Sequence, residues 1–162
     1  MKRILGVMGG ASCTPDEAEL ARGAGRMIAQ RGFVLLCGGG AGVMEAAARG
    51  AKEAGGLTLG ILPGSNAAES PPNPHIDLAV FTGLSDARNA INVKAAEAVI
   101  AIGGGPGTLS EIALALKNGK PVLALRTWAV SREGADLERF HPVETLEELA
   151  LILDRLGFAR AH

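Results

Sequence analysis

Residues 98–111 read AVIAIGGGPGTLSE. An apolar run, a cluster of glycines and a helix-forming tail predict a buried strand over Ala98–Ile102, a tight loop over Gly103–Gly107 and a helix from near Thr108. The same grammar appears upstream, where residues 34–45 read VLLCGGGAGVME. In both segments three glycines, one other residue and a fourth glycine lead from a strand into a helix carrying a glutamate, Glu45 or Glu111. Residues 3–12, RILGVMGGAS, form a shorter third version ending in Gly9-Gly10-Ala11-Ser12.

Working outward, strands are expected near Arg3–Met8, Phe33–Cys37, Leu57–Ile61, Asp77–Thr82, Ala98–Ile102 and Pro121–Leu125. Helical patterns fall between them. Thr14-Pro15-Asp16-Glu17 is a helix start with a threonine cap, proline at the first position and a capping-box glutamate. That helix should run to about Gln30, with Gly32 ending it. A second helix follows Gly42, a third begins near Ser85 or Asp86, and a last one starts at Thr145 with Leu146, Leu149, Leu153 and Leu156 on one stripe. Alternating strands and helices predict an α/β, Rossmann-like, doubly wound and mostly parallel sheet with helices on both faces. Taking the order as 3-2-1-4-5, the turns after strands 1, 2, 4 and 5 surround the crevice at the switch point. Gly64–His75 contains three prolines and reads either as a lid or as a plain surface loop. Arg126–Val143, which holds Trp128, gives no clear element.

The 162 residues make one domain, able to bury roughly 70% of the surface of the unfolded chain. An apolar fraction of 48% against 20% charged residues argues for a packed core rather than disorder. Sixteen basic and seventeen acidic residues leave a net charge of −1, and no run of one sign points to nucleic acid or an anionic membrane. Cys13 and Cys37 suit small thiols in a reducing compartment, and with His75, His141 and His162 they make no metal-ligand spacing. Ile4–Met8 is too short for the apolar core of a signal, and no run approaches the ~20 residues of a membrane helix. A cytoplasmic chain without resident cofactor or metal is expected.

Glycine loops at the carboxyl ends of parallel strands expose unpaired amides at a helix N-terminus, where an anion is favoured by the dipole and not obstructed by Cβ atoms. Three such loops converging on one crevice predict a phosphate site for a nucleotide-like small molecule. No GxGxxG stands at the first turn and no GxxxxGK[ST] occurs, which disfavours dinucleotide oxidoreductases and P-loop NTPases.

Gly103-Gly104-Gly105-Pro106-Gly107-Thr108-Leu109-Ser110-Glu111 resembles the PGGxGTxxE motif of the LOG family. Gly38–Glu45 resembles the family's GGGxxGLM loop, Gly60-Ile61-Leu62-Pro63 its GIxP strand end, and Arg88 aligns with the arginine of its MHxRK motif. The similarity runs over roughly residues 3–125. Here Gly103 replaces the leading proline, Pro106 the tyrosine, and Ser85, Asp86 and Asn89 stand for Met, His and Lys. The GGGPGTLSE and DARN pattern is closer to a LOG-like subgroup that includes molybdenum cofactor carrier proteins. The family also carries a lysine decarboxylase label, for which no pyridoxal-lysine motif is found. The resemblance implies hydrolysis of the N-glycosidic bond of a nucleoside 5′-monophosphate, releasing base and ribose 5-phosphate. Its alternative is a non-catalytic carrier of a phosphorylated ligand such as the molybdenum cofactor. A homodimer is also implied.

On these grounds Glu111 and Arg88 are the candidate catalytic pair. A carboxylate at a helix N-terminus can stabilise an oxocarbenium-like centre, and a guanidinium fork can hold phosphate or a departing base. Glu111 equally completes a capping box with Thr108, so capping its own helix is the competing reading. Gly10, Ser12, Gly39, Gly40, Gly42, Gly104, Gly105, Gly107 and Thr108 are the candidate phosphate ligands. Asn89 serves either a sugar or base contact or a turn.

Overall fold

The structure is a computed structural model that describes residues 1–134 and 137–160; His162 lies outside the described residues. Its elements alternate along the chain: β1 (Ile4–Gly9), α1 (Pro15–Gln30), β2 (Val34–Cys37), α2 (Val43–Glu53), β3 (Thr58–Leu62) and β4 (Leu78–Phe81). A 3-10 turn at Ser85–Ala87 leads into α3 (Arg88–Ala95), followed by β5 (Ala98–Gly103), α4 (Pro106–Lys117), β6 (Val122–Thr127), β7 (Phe140–Val143) and α5 (Leu146–Arg155). The strands form one sheet in the order β4-β3-β2-β1-β5-β6-β7, and every neighbouring pair is parallel. This is the Rossmann-like α/β architecture expected.

The order differs from 3-2-1-4-5 in one respect that matters for the site. The fourth strand, Leu78–Phe81, is an outer edge beside β3, and Ala98–Gly103 takes the place beside β1. Burial explains the exchange. Leu78, Ala79 and Val80 are exposed, whereas all six residues of β5 are buried and suit a centre covered on both faces. A seventh strand, Phe140–Val143, lies at the opposite edge within the segment that gave no clear element.

Alternation along the central strands divides the core in two. Leu5, Val7, Leu35, Ile100 and Ile102 pack with α1, α2 and α5 on one side; Met8, Leu36, Val99 and Ala101 pack with α3 and α4 on the other. α1 starts with the expected capping box: Glu17 N–H donates to Thr14 Oγ1 at 3.2 Å, and Thr14 N–H donates to Glu17 Oε2 at 2.9 Å. α1 and α2 then approach at backbone distance. A Cβ on Gly25 would collide with the Ala47 carbonyl, and one on Gly50 with the Arg22 carbonyl. Of the α5 stripe, Leu149 and Leu153 are fully buried, while Leu146 fills the space left by Gly23. Among the described residues, no helix is long and apolar enough to cross a membrane.

Candidate functional site

β1, β2 and β5 end side by side at the switch point, and above their carboxyl ends opens a cleft of about 300 Å³. Of the candidates, Gly10, Arg88, Asn89, Gly105, Gly107, Thr108 and Glu111 line it. So do Met8, Gly38, Met44 and Asp86, which sequence reasoning had not singled out as ligands.

The third glycine loop builds one wall. Gly103 and Gly104 have φ of 53° and 85°, left-handed values that turn β5 sharply into α4. A side chain on Gly104 would strike Thr108 Oγ1, which explains why Thr108, only 3% exposed, nests against the loop. α4 begins at Pro106 with Gly105 as its cap residue and no side-chain cap. Its first amides therefore have no intrahelical acceptor and no capping side chain. The loop is braced from outside, because Trp128 Nε1 donates to Gly105 O at 3.1 Å and Ser110 Oγ donates to Gly107 O at 2.6 Å. Since the helix starts at Pro106, Thr108 and Glu111 lie inside it rather than at its cap. The capping-box reading of Glu111 is thereby overturned.

The second loop behaves differently. Asn73, from within Gly64–His75, donates through Nδ2 to Gly40 O at 2.9 Å and Gly39 O at 3.3 Å. Gly39 N–H donates to Cys37 Sγ at 3.4 Å. A Cβ on Gly42 would meet the Gly10 carbonyl, which accepts Val43 N–H at 3.0 Å. Gly42 thus brings backbone against backbone, while Gly39 packs under the Leu62 side chain and Gly40 under that of Met44; none of the three lines the cleft, and Gly38 is the member of that loop that faces it. Ser12 is exposed beside the first loop and Gly104 lies on the far side of the third. The Gly64–His75 segment is tied down by Asn73 and by the Gly64 N–H to Ser70 Oγ bond, and none of its residues lines the cleft.

The centre of the cleft is electrostatic. Glu111 is 6% exposed, and Asn92 Nδ2 donates to its Oε2 at 3.2 Å. Burial pushes its carboxyl up to about 7, while the Asn92 hydrogen bond and the Arg88 charge pull the other way. Arg88 lies across Gly38, whose absent side chain makes room for the guanidinium. Its Nε is buried without a hydrogen-bond partner among the described residues, as is Asn92 Oδ1. The turn that delivers Arg88 is strained: Ser85, a non-glycine residue, has φ of 50°. Asn89 donates to Ser110 Oγ at 3.1 Å and so joins α3 to α4 at the rim.

Burial also pushes the Cys37 thiol up to about 11, and burial with the Glu17 charge raises that of Cys13; neither is poised as a nucleophile. Among the described residues, no group of three His, Cys, Asp or Glu side chains is arranged to hold a metal. A wall of free amides, one arginine fork and one buried carboxyl can hold an anion and present a proton-exchanging group beside it.

The SLOG cluster4 family model matches residues 2–150. The chain belongs to the SLOG cluster4 family. This upholds the LOG-like resemblance read from residues 103–111. Within this SLOG setting, the molybdenum cofactor binding protein of the phototrophic bacterium Rippkaea orientalis is 40% identical, with a TM-score of 0.85 over 97% of this chain and 98% of that one. The molybdenum cofactor carrier protein of Chlamydomonas reinhardtii is 36% identical, with a TM-score of 0.84 over 97% and 99% of the two chains. A cytokinin riboside 5′-monophosphate phosphoribohydrolase of Mycobacterium tuberculosis is 32% identical over 117 residues, 68% of this chain and 63% of its own length.

Proposed function

We propose that this chain binds and carries a phosphorylated small molecule of the molybdenum cofactor class. The observation that carries the reading is the pairing of an uncapped α4 N-terminus with the Arg88 guanidinium on one cleft, the arginine's Nε lacking a hydrogen-bond partner among the described residues. Both are donors, and both suit phosphate oxygens. End-to-end likeness to two molybdenum cofactor proteins gives this reading more support than the partial likeness to a phosphoribohydrolase, reversing the order in which the motifs alone had put them. Mass spectrometry of gently purified protein is expected to find a phosphorylated compound retained near one per chain. Protein that is folded, retains nothing and is not stabilised by any phosphorylated compound would end this reading.

Hydrolysis of a nucleoside 5′-monophosphate is the second reading, and Glu111 is the observation that favours it. A carboxyl displaced to about 7 beside an anion site is the kind of group that serves as acid or base. Incubation with a panel of nucleoside monophosphates then releases free base, and Glu111→Ala abolishes the release. Retention without turnover selects the carrier. A cytoplasmic location, a homodimer and the absence of a nucleic-acid partner go with either reading, the dimer being tested by sedimentation at several concentrations.

A further inference from the structure

Across the Gly103–Gly107 loop from the cleft lies a second hollow, of about 320 Å³, lined by Glu17, Gly103, Gly104, Arg126, Thr127 and Trp128. It brings together a flat aromatic ring, a cation and a carboxylate. Trp128 is 39% exposed, with its indole N–H fixed to the Gly105 carbonyl. Arg126 holds φ of 52°, left-handed for a residue with a side chain, beside the point where the β5–β6 register shifts at Ile102/Gly103. Among the described residues its ion-pair partner is Glu144, 4.0 Å away. Glu17 uses Oε2 for the α1 capping box, and Oε1 lies against Gly103 with no hydrogen bond among the described residues.

Hollow and cleft adjoin at the Gly104–Gly105 backbone. Gly104 lines one and Gly105 the other, adjacent Cα atoms are about 3.8 Å apart, and a Cβ on Gly105 would meet nothing within 4 Å. A ligand with its phosphate at the α4 N-terminus can therefore cross the loop over Gly104 and Gly105, neither of which carries a side chain. What the hollow offers beyond it is specific. An indole stacks on a planar heterocycle, a carboxylate oxygen accepts N–H groups, and a guanidinium donates to a carbonyl oxygen. A 2-amino-4-oxopyrimidine ring, present in guanine and in pterins, has an amino group and a ring N–H as neighbouring donors and a carbonyl on the other side of that N–H. Adenine lacks that pattern.

We infer that this hollow holds the heterocycle of the ligand whose phosphate occupies the cleft, and that Glu17, Arg126 and Trp128 select a 2-amino-4-oxo ring. The inference rests on the phosphate-binding reading above. Trp128 is the only tryptophan in the chain, so its emission reports on the hollow directly. The probes are guanosine 5′-monophosphate, adenosine 5′-monophosphate and inorganic phosphate, each followed by emission and by thermal shift. The guanine nucleotide is expected to change the emission saturably and to bind about tenfold tighter than the adenine nucleotide, while phosphate raises Tm without moving the emission. Glu17→Gln keeps the capping box, where glutamine also serves, and turns the free acceptor into a donor. It is expected to leave Tm and the phosphate shift unchanged and to erase the preference for guanine. Equal binding of the two nucleotides, or unchanged emission while both raise Tm, overturns the inference and leaves the phosphate reading standing. If none of the three probes raises Tm, the phosphate reading falls and this inference with it.

Discussion

Glu111 and Asn92 meet where α3 and α4 converge, and Glu111 lines the cleft. A carboxyl held near 7 is largely neutral in mild acid and ionised in mild base. An anion at the α4 N-terminus then meets a neutral neighbour below pH 7 and a like charge above it. Sulfate binding, chosen because sulfate does not titrate in this range, is expected to weaken as pH rises from 6 to 8; Glu111→Gln should flatten the profile. A profile unchanged by that substitution would separate Glu111 from the anion. Arg88→Gln should weaken the same binding by about 2 kcal/mol, near thirtyfold, since a charged donor is lost and no neighbour replaces it. Arg88 was legible because a motif carried it. Asn92 was not, although it stands four residues further along α3 and so shares a helix face with Arg88. Nothing in an isolated asparagine says that a glutamate from another helix will meet it.

At the scale of elements, glycines that look alike do different work. Gly104 has no room and the wrong φ for a side chain, whereas Gly107 sits in the first turn of α4 with open space around it. Gly107→Ala should raise stability by about 0.5–1 kcal/mol, as alanine does in a helix, and yet weaken anion binding by crowding the amides. Thermal shift and sulfate titration on one variant read both effects, and a gain in both would argue that the anion lies elsewhere. Gly25→Ala should cost about 2–3 kcal/mol, because the new methyl meets the Ala47 carbonyl and the helices must part. Chemical denaturation measures this directly. The capping box at Thr14 and the apolar run at Ala98–Ile102 were readable because each signal is local. β7 was not: FHPV is four residues long, contains a proline and owes its pairing to β6. Which glycines of the second loop face the cleft was not readable for a related reason, since glycine admits a ligand and a packed neighbour equally well.

For the molecule as a whole, two carboxylates set opposite limits on stability with pH. Glu111 is raised from 4.5 to about 7 in the folded chain, so its contribution is full below pH 4.5 and is lost as pH rises through about 7. The loss amounts to roughly 3 kcal/mol, and Glu111→Gln should recover much of it at pH 8. Glu53, hydrogen-bonded by Arg22, Arg26 and Arg49, is lowered to about 2; its contribution is present above pH 4.5 and disappears as pH falls through about 2. Urea titrations at pH 5.5 and 8 should therefore give the greater stability at the lower value, and the exposed Glu53 pairs should add little to the difference. A parallel sheet was visible in the alternation of patterns, but its strand order was not, because a gap without a helix, such as Gly64–His75, can return the chain to either side of β1. The realised order has a consequence for synthesis. Leu5 pairs with Ala98, so β1 emerges from the ribosome long before one of its two neighbours exists, and one wall of the cleft is translated well ahead of the other. Until then β1 is an apolar strand with one bare flank, and a nascent chain stalled before Ala98 is one that holdase chaperones should bind.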